Sequence, residues 1–318
     1  MVSAYRIEAG QPVPCAREEA SILLFGQPTD AEKDQLIVEF GLDRLDVEAI
    51  HDPEEVPRIE TWQDSLLVIW NWPDNVSRRD AIQFEVSTMG LLLTKGKAVI
   101  IMPRGEVPLG NREFKRLTSV QDFLLRVLLF TIHHYQGHLK AIKMMSTELE
   151  SKVIASMENK YLLQMFALGE SLIYYLNALE TNLTILAKLR AMAERQKFSP
   201  EQIAFLDDAI IENQQAVKQA NIYSSVLSGL MDARGTIVSN NMNVLLKNLM
   251  IINVVFLPLN LIASIGGMSE YSMMTHGVHW QVAYGVFVVT MMGLGWVVWW
   301  WLTKVMERSQ RRNSANGH

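Results

Sequence analysis

A chain of 318 residues, 20% of them charged, with a mean hydropathy of +0.09, is too polar on average for a many-span transporter and long enough for one large or two modest domains. A net charge of −5 and a pI near 5.8 imply no broad basic face, which excludes nucleic acid as the natural partner. The single cysteine, Cys15, excludes an internal disulfide and suits a reducing compartment.

In chain order, the residues up to about Met102 read as mixed α/β. Strand-like runs fall at Ala4–Glu8, Ser21–Phe25, Ser65–Trp70, Ala81–Ser87 and Val99–Met102, separated by Gly, Pro and Asp/Asn punctuation. Thr29-Asp30-Ala31-Glu32 is a helix start in which Thr29 caps and Glu32 completes a capping box. A second short helix is predicted over Leu45–His51, ending before Pro53. The first thirty residues are mixed and polar, with no visible secretory leader, so this region is expected in the cytoplasm.

From about Ser119 the character changes. Val120–Ala193 has helical periodicity, little glycine and no proline, which predicts one or two long helices. On them His134 and His138 are spaced i, i+4, one face that could hold Zn²⁺. No cysteine or HExxH carboxylate completes that site, so a partly exposed helix surface is the expectation. Ser199-Pro200-Glu201 opens another helix, with Ser as N-cap, Pro at the first helical position and an acid in the first turn. A seam at 3.5-residue spacing follows through Ile203, Leu206, Ile210, Val217, Ala220, Ser224, Leu227 and Met231, interrupted by Asn213. Unbroken to Ile265, this helix is about 100 Å long. A break near Gly229 or Gly235 is the alternative.

Two apolar runs close the chain, Leu249–Ile265 and Val282–Leu302, on either side of a loop that begins Gly267-Met268-Ser269. The second run has no charge over 21 residues, enough to span roughly 30 Å of hydrocarbon. The pattern predicts an α/β cytoplasmic domain over 1–118, long cytoplasmic helices over 119–198 and a stalk helix over 199–243. Transmembrane helices over 244–265 and 281–303 then flank an external loop, 266–280, and a basic tail follows over 304–318. The tail holds Lys304, Arg308, Arg311 and Arg312, whereas the loop has no Lys or Arg. Both termini are therefore expected on the cytoplasmic side of the inner (plasma) membrane. Trp280 and Tyr284 at one edge and Trp299, Trp300 and Trp301 at the other suit the two interfaces of the bilayer.

Within the first run, Asn243, Leu246, Met250, Asn253, Leu257, Asn260, Ser264 and Gly267 fall on one face at alternating steps of three and four. An asparagine in hydrocarbon is costly unless its amide finds water or a partner. Repetition on one stripe points to a shared polar axis between several chains, since two helices cannot enclose a pore alone. Interhelical hydrogen bonding that merely holds an oligomer together is the alternative. In the loop, Glu270, His276 and His279, repeated by symmetry, could form a ring for Zn²⁺, Co²⁺ or Ni²⁺, or could be plain loop residues. No phosphate-cradling loop, nucleophile elbow or paired-carboxylate cleft supports an enzyme, and no cofactor is expected.

Several stretches carry a family resemblance. Asn243-Val244-Leu245-Leu246-Lys247 resembles the entry to the pore helix of the CorA family of two-transmembrane divalent-cation channels. Val255-Phe256-Leu257-Pro258-Leu259-Asn260 resembles its proline-containing middle, and Gly267-Met268-Ser269 stands at its Gly-Met-Asn signature. Trp280, Leu45–Ile50, Val56–Glu60 and Leu66–Trp70 are similar to further parts of the family pattern.

The resemblance implies a homopentamer in the lipid bilayer, with first spans inside and second spans outside, passing hydrated Mg²⁺ or a related ion such as Zn²⁺, Co²⁺ or Ni²⁺. It implies a polar ring at Asn243, constrictions at Leu246 and Leu257, a second polar ring at Asn260, and an outer mouth shaped by Gly267 and Met268. Met250, Asn253 and Ser264 join these by periodicity alone. Ser269 replaces the signature asparagine, and Gly266 replaces the aromatic that usually precedes the signature glycine. Five serines would present shorter hydroxyls than the amides, which bears on recognition of hydrated Mg²⁺. Glu48 stands for one member of the family's regulatory acid pair and Asp208 near its stalk acid. Both could bind a regulatory cation, or be solvated helix acids. A CorA-like scaffold or sensor that conducts weakly or not at all, and binds a protein partner, is the second reading.

Overall fold

The computed structural model describes residues 2–53, 55–62, 65–78, 81–155, 159–274 and 276–315, with side chains at all of these except 75–78, 81–82, 153–155, 270–272, 302–303 and 305–315. The chain divides into two compact units, Met1–Asp232 and Ala233–His318.

The first unit is built on a seven-stranded sheet in the order β2-β1-β3-β7-β6-β5-β4. The strands are β1 Val2–Glu8, β2 Gln11–Pro14, β3 Ile22–Gly26, β4 Arg58–Trp62, β5 Ser65–Arg78, β6 Ala81–Thr94 and β7 Lys97–Met102. Among the described residues only β3 and β7 run parallel. The helices are α1 Asp30–Phe40, α2 Arg44–His51, α3 Val120–Ala155, α4 Asn159–Met192 and α5 Pro200–Gly266, the last continuing beyond this unit.

Alternation along β5 explains the layering. Leu66, Val68, Trp70 and Trp72 pack with Phe123, Val127 and Leu186 of α3 and α4, whereas Leu67 and Ile69 pack with Val47 and Ile50 of α2. Because both faces are covered, the strand reads as one apolar run rather than as an alternation. Full burial of each such aliphatic side chain is worth roughly 1.5–3 kcal/mol. The α2 side needs one concession from the sheet. A Cβ at Gly90 would stand 2.5 Å from Ile50 Cδ1, so only glycine lets α2 lie this close.

The predicted caps are present. The Thr29 amide donates to Glu32 Oε2 at 2.8 Å, and the Glu32 amide to Thr29 Oγ1. Ser199 and Gln202 form the same reciprocal pair at the start of α5. Of the seam on α5, Leu206, Ala220 and Leu227 are buried. Asn213 belongs to the seam rather than breaking it: fully buried, its Nδ2 donates to the Leu179 carbonyl of α4 at 2.8 Å. The helix is continuous over 67 residues, so neither Gly229 nor Gly235 ends it.

The expectation of a partly exposed histidine face on α3 is corrected. His138 is buried, within 2.5 Å of the Tyr175 hydroxyl, and its ring packs on Phe84. His134 is half-buried, its ring centroid 4.4 Å from that of His138 and against Trp72. Burial lowers both imidazole pKa values, that of His138 to about 4, so both rings are neutral at pH 7. The covering groups come from β5, β6 and α4, all remote in sequence from the pair.

The second unit contains the end of α5, a short helix α6 Ser269–Met274, and α7 Trp280–Ala315. Both α5 and the 22-residue segment Trp280–Trp301 of α7 are long and apolar enough to cross a membrane. Within this unit α5 and α7 run antiparallel and interlock at two glycines. Phe287 of α7 meets Gly266 of α5, and Leu259 of α5 meets Gly295 of α7.

Candidate ion path

The covered face of α5 defines the free one. In the second unit, Ile251, Val255, Leu259, Ile262 and Gly266 are shielded in part. Their steps of four, four, three and four mark the side turned to α7. The stripe residues Asn243, Leu246, Met250, Asn253, Leu257, Asn260, Ser264 and Gly267 are all exposed. Leu257 and Leu259, Asn260 and Ile262, and Ser264 and Gly266 are each two residues apart, about 200° around the helix. The stripe therefore lies on the side of α5 facing away from α7, uncovered by this chain. Asn243 and Asn260 are separated by about 25 Å along the axis at 1.5 Å per residue.

Pro258 lies inside the helix, beside Leu257. It supplies no N–H to the carbonyl one turn earlier, which leaves one backbone acceptor outside the helical ladder at a depth where lipid offers no donor. Past Gly266 the helix closes tightly. The Gly267 amide is shared between the Ala263 and Ser264 carbonyls at 3.1 and 3.2 Å, and the Met268 amide donates to Ile265 O at 3.1 Å. Ser269 then opens α6. Gly267 and Met268 thus form the turn between two helices, and Ser269 is the first residue after it.

The other predicted residues are placed separately. His276 and His279 are exposed, and the His279 carbonyl accepts the Val282 and Ala283 amides at the start of α7. The side chain of Glu270 lies outside the described residues. Among the described residues no three His, Cys, Asp or Glu side chains converge as a metal site, so a metal ring in the loop would need further copies of the chain. Glu48 is exposed and ion-paired with Arg44 at 3.0 Å. It lines a surface cavity of about 240 Å³ with Lys33, Val47, His51 and Asp52. Lys33 there opposes a cation. His51 points Nδ1 at the Val47 carbonyl, 2.7 Å away, and burial lowers its pKa. Asp208 is exposed on α5.

Sequence reasoning missed Phe287, Leu259 and Gly295. The available signal was glycine in the second apolar run: small residues on one membrane helix mark where a neighbour approaches closely. At the other end of that run, Lys304 Nζ stands 4.2 Å from the centroid of the Trp300 ring, a cation–π contact beside the aromatic cluster.

Comparison with known proteins agrees with this architecture. The family model described as CorA-like Mg²⁺ transporter protein matches residues 18–304. The cobalt/magnesium transport protein CorA of Methanocaldococcus jannaschii is 22% identical over 257 residues, covering 76% of this chain and 77% of that protein. The complete structure of that organism's CorA magnesium transporter superposes with a TM-score of 0.71 at 19% identity, over 93% of this chain and 96% of the other. The full-length CmaX protein gives the same TM-score at 14% identity, over 96% and 97%. The α/β unit, the long helix and the two C-terminal apolar helices are those of a CorA fold. The chain belongs to the CorA-like Mg²⁺ transporter family, a family of divalent-cation membrane transporters rather than enzymes.

Proposed function

We propose that the protein is a homopentameric channel of the inner (plasma) membrane, with both termini cytoplasmic, that passes hydrated Mg²⁺ or a related divalent ion along the α5 stripe. The observation that carries this reading is the position of the stripe: asparagines at apolar depth, on the side of α5 opposite the helix that packs against it. A lipid-facing asparagine loses water without compensation. Five copies turned inward keep these amides wet and present a column of carboxamides to an ion that retains its water shell. Mg²⁺ dehydrates reluctantly, so amide oxygens acting on its bound waters suit it better than direct ligation does. Leu246 and Leu257 form narrow apolar rings in this arrangement, the kind of constriction that gates by dewetting. Ser269 offers a hydroxyl where the outer turn ends, which shortens the reach toward a hydrated ion and relaxes the preference for Mg²⁺ over Zn²⁺, Co²⁺ or Ni²⁺.

Flux into liposomes holding the purified full chain tests this. Each of the four ions is offered in turn, and at least one enters above the rate of empty vesicles. Asn260→Leu lowers that flux by about tenfold or more, a barrier increase near 1.4 kcal/mol. If the unaltered protein passes none of the four, the conduction reading is wrong and a scaffold or sensor role takes its place.

A further inference from the structure

The two glycines before Met268 are not equivalent. A Cβ at Gly267 would meet only the Ser264 and Ala263 carbonyls of its own helix, at 3.5 and 3.6 Å, which is ordinary contact. A Cβ at Gly266 would stand 2.6 Å from Cζ and 2.7 Å from Cε2 of Phe287. No side chain fits at 266 while that ring keeps its place. Gly266 is also the last residue of α5, so the ring is seated one residue before the turn that forms the mouth. A second notch faces the other way, where Leu259 Cδ1 comes within 3.3 Å of a Cβ built at Gly295. Leu259 and Gly266 lie seven residues apart on one face of α5. One knob enters from each helix, so the pair restrains both the sliding and the rotation of α7 on α5.

We propose that Phe287 is a positioning residue for the outer mouth: its ring, locked into the Gly266 notch, sets where the Gly267-Met268 turn that leads into Ser269 begins. The second membrane helix, which carries none of the polar stripe, thereby governs the entrance that the first helix forms. The absence of an aromatic at 266 follows, because the space is filled from α7. The mouth itself rests on the conduction reading above.

The test uses the full chain in detergent, in a Cys15→Ser background with Ser269→Cys as a reporter of the turn. Its labelling rate with a polar maleimide is measured for the reporter alone, with Gly266→Ala, with Phe287→Ala and with both. Gly266→Ala alone changes the rate by about threefold or more, and adding Phe287→Ala returns it toward the reporter's own rate, a coupling within the usual range for contacting residues. Gly285→Ala, where an added Cβ meets nothing within 4 Å, leaves the rate unchanged. The same Gly266 and Phe287 substitutions without the reporter are run in the liposome assay, where relative flux among the four ions follows the same pattern. Independent, additive effects at the two positions, or a Gly266→Ala protein that labels like the reporter alone, overturn the proposal. Coupled labelling with no flux from the unaltered chain would keep the positioning role and remove the conduction reading. Flux without coupling would do the reverse.

Discussion

The two units solve the burial problem in different ways. In the first, apolar side chains from both faces of the sheet are enclosed by helices of the same chain, and Asn182 and Asn213 find backbone partners there. In the second, the apolar windows of both long helices have no residue fully buried, and the asparagine stripe is uncovered. One unit carries its own solvent-excluding partners. In the proposed pentamer, the other obtains them from lipid on one side and from further copies on the other. The same residue type therefore stands in opposite settings: asparagine in the first unit is a clamp closed within the chain, and in the second it is left uncovered by the chain.

The largest expected effect tests how self-sufficient the first unit is. The ladder between β4 and β5 ends at Arg58 opposite Ile69, so the outward backbone groups of Asn71 have no strand to pair with. The Asn182 carboxamide takes over. Its Oδ1 accepts the Asn71 amide at 3.1 Å, and its Nδ2 donates to the Asn71 carbonyl at 2.9 Å. Asn182→Leu strands both groups in a buried site, at about 1–3 kcal/mol each. Chemical unfolding of the full chain should show a loss of about 2–5 kcal/mol that does not change with protein concentration. A concentration-dependent loss would mean that this unit is completed by its neighbours.

Such clamps mark the limit of what the chain discloses before folding. The strands at the centre of the sheet were legible because burial on both faces leaves a run such as Leu66–Trp70, which no loop composition imitates. The edge strands were not. β2 carries two prolines, which suit an edge because the missing N–H faces no partner, and β4 carries Arg58 and Glu60. Both look like loop until the sheet supplies a neighbour. The Thr29–Glu32 capping box and the Ser199 cap were legible because each is local to four residues, whereas the Asp43–Asp46 box at the start of α2 went unread. The burial of His138 was not, because Phe84 and Tyr175 reach it from elements far along the chain. In the second unit the face carrying the stripe was legible from periodicity, whereas the fit of Phe287 at Gly266 depends on how two helices are aligned. Periodicity reports a helix face; it does not report what meets that face.

A smaller effect follows from the histidine cluster. Burial holds the His138 pKa near 4, below its ordinary 6.5, so between these values the unfolded chain binds more protons than the folded one. The stability due to the neutral ring is complete above pH 6.5 and declines as the pH falls toward 4. Asp74 works in the opposite sense. Burial raises its carboxyl pKa, so its contribution is complete below the ordinary value of 3.8 and is lost as the pH rises through the higher folded value. In the intact protein the two slopes oppose each other over part of this range; His134 and Tyr175 face His138, whereas Tyr135, Tyr175, Glu85 and Arg104 act on or with Asp74. His138→Gln removes one slope and leaves the other. The fall in melting temperature between pH 6.5 and 4 should shrink by up to about 5–10 °C, the equivalent of roughly 2–3 kcal/mol. An unchanged pH profile would show that the cluster stays protonated alike in both states.

The smallest effect sharpens the comparison at its most ambiguous residue. Glu48 invites a regulatory reading, yet in the first unit an acid already has a local explanation: Arg44 lies one turn earlier on the same helix, at 3.0 Å, with both side chains well exposed. Such i, i+4 pairs contribute about 0.3–0.5 kcal/mol. Lys33 in the adjoining cavity adds a positive charge where a cation would have to sit. Glu48→Gln should therefore cost no more than about 0.5 kcal/mol. It should also leave unchanged the rise in melting temperature produced by added Mg²⁺ or Co²⁺. If that rise disappears while stability without metal is preserved, Glu48 is a cation ligand after all. The first unit would then share the property proposed for the second, a site finished only when another chain or an ion arrives.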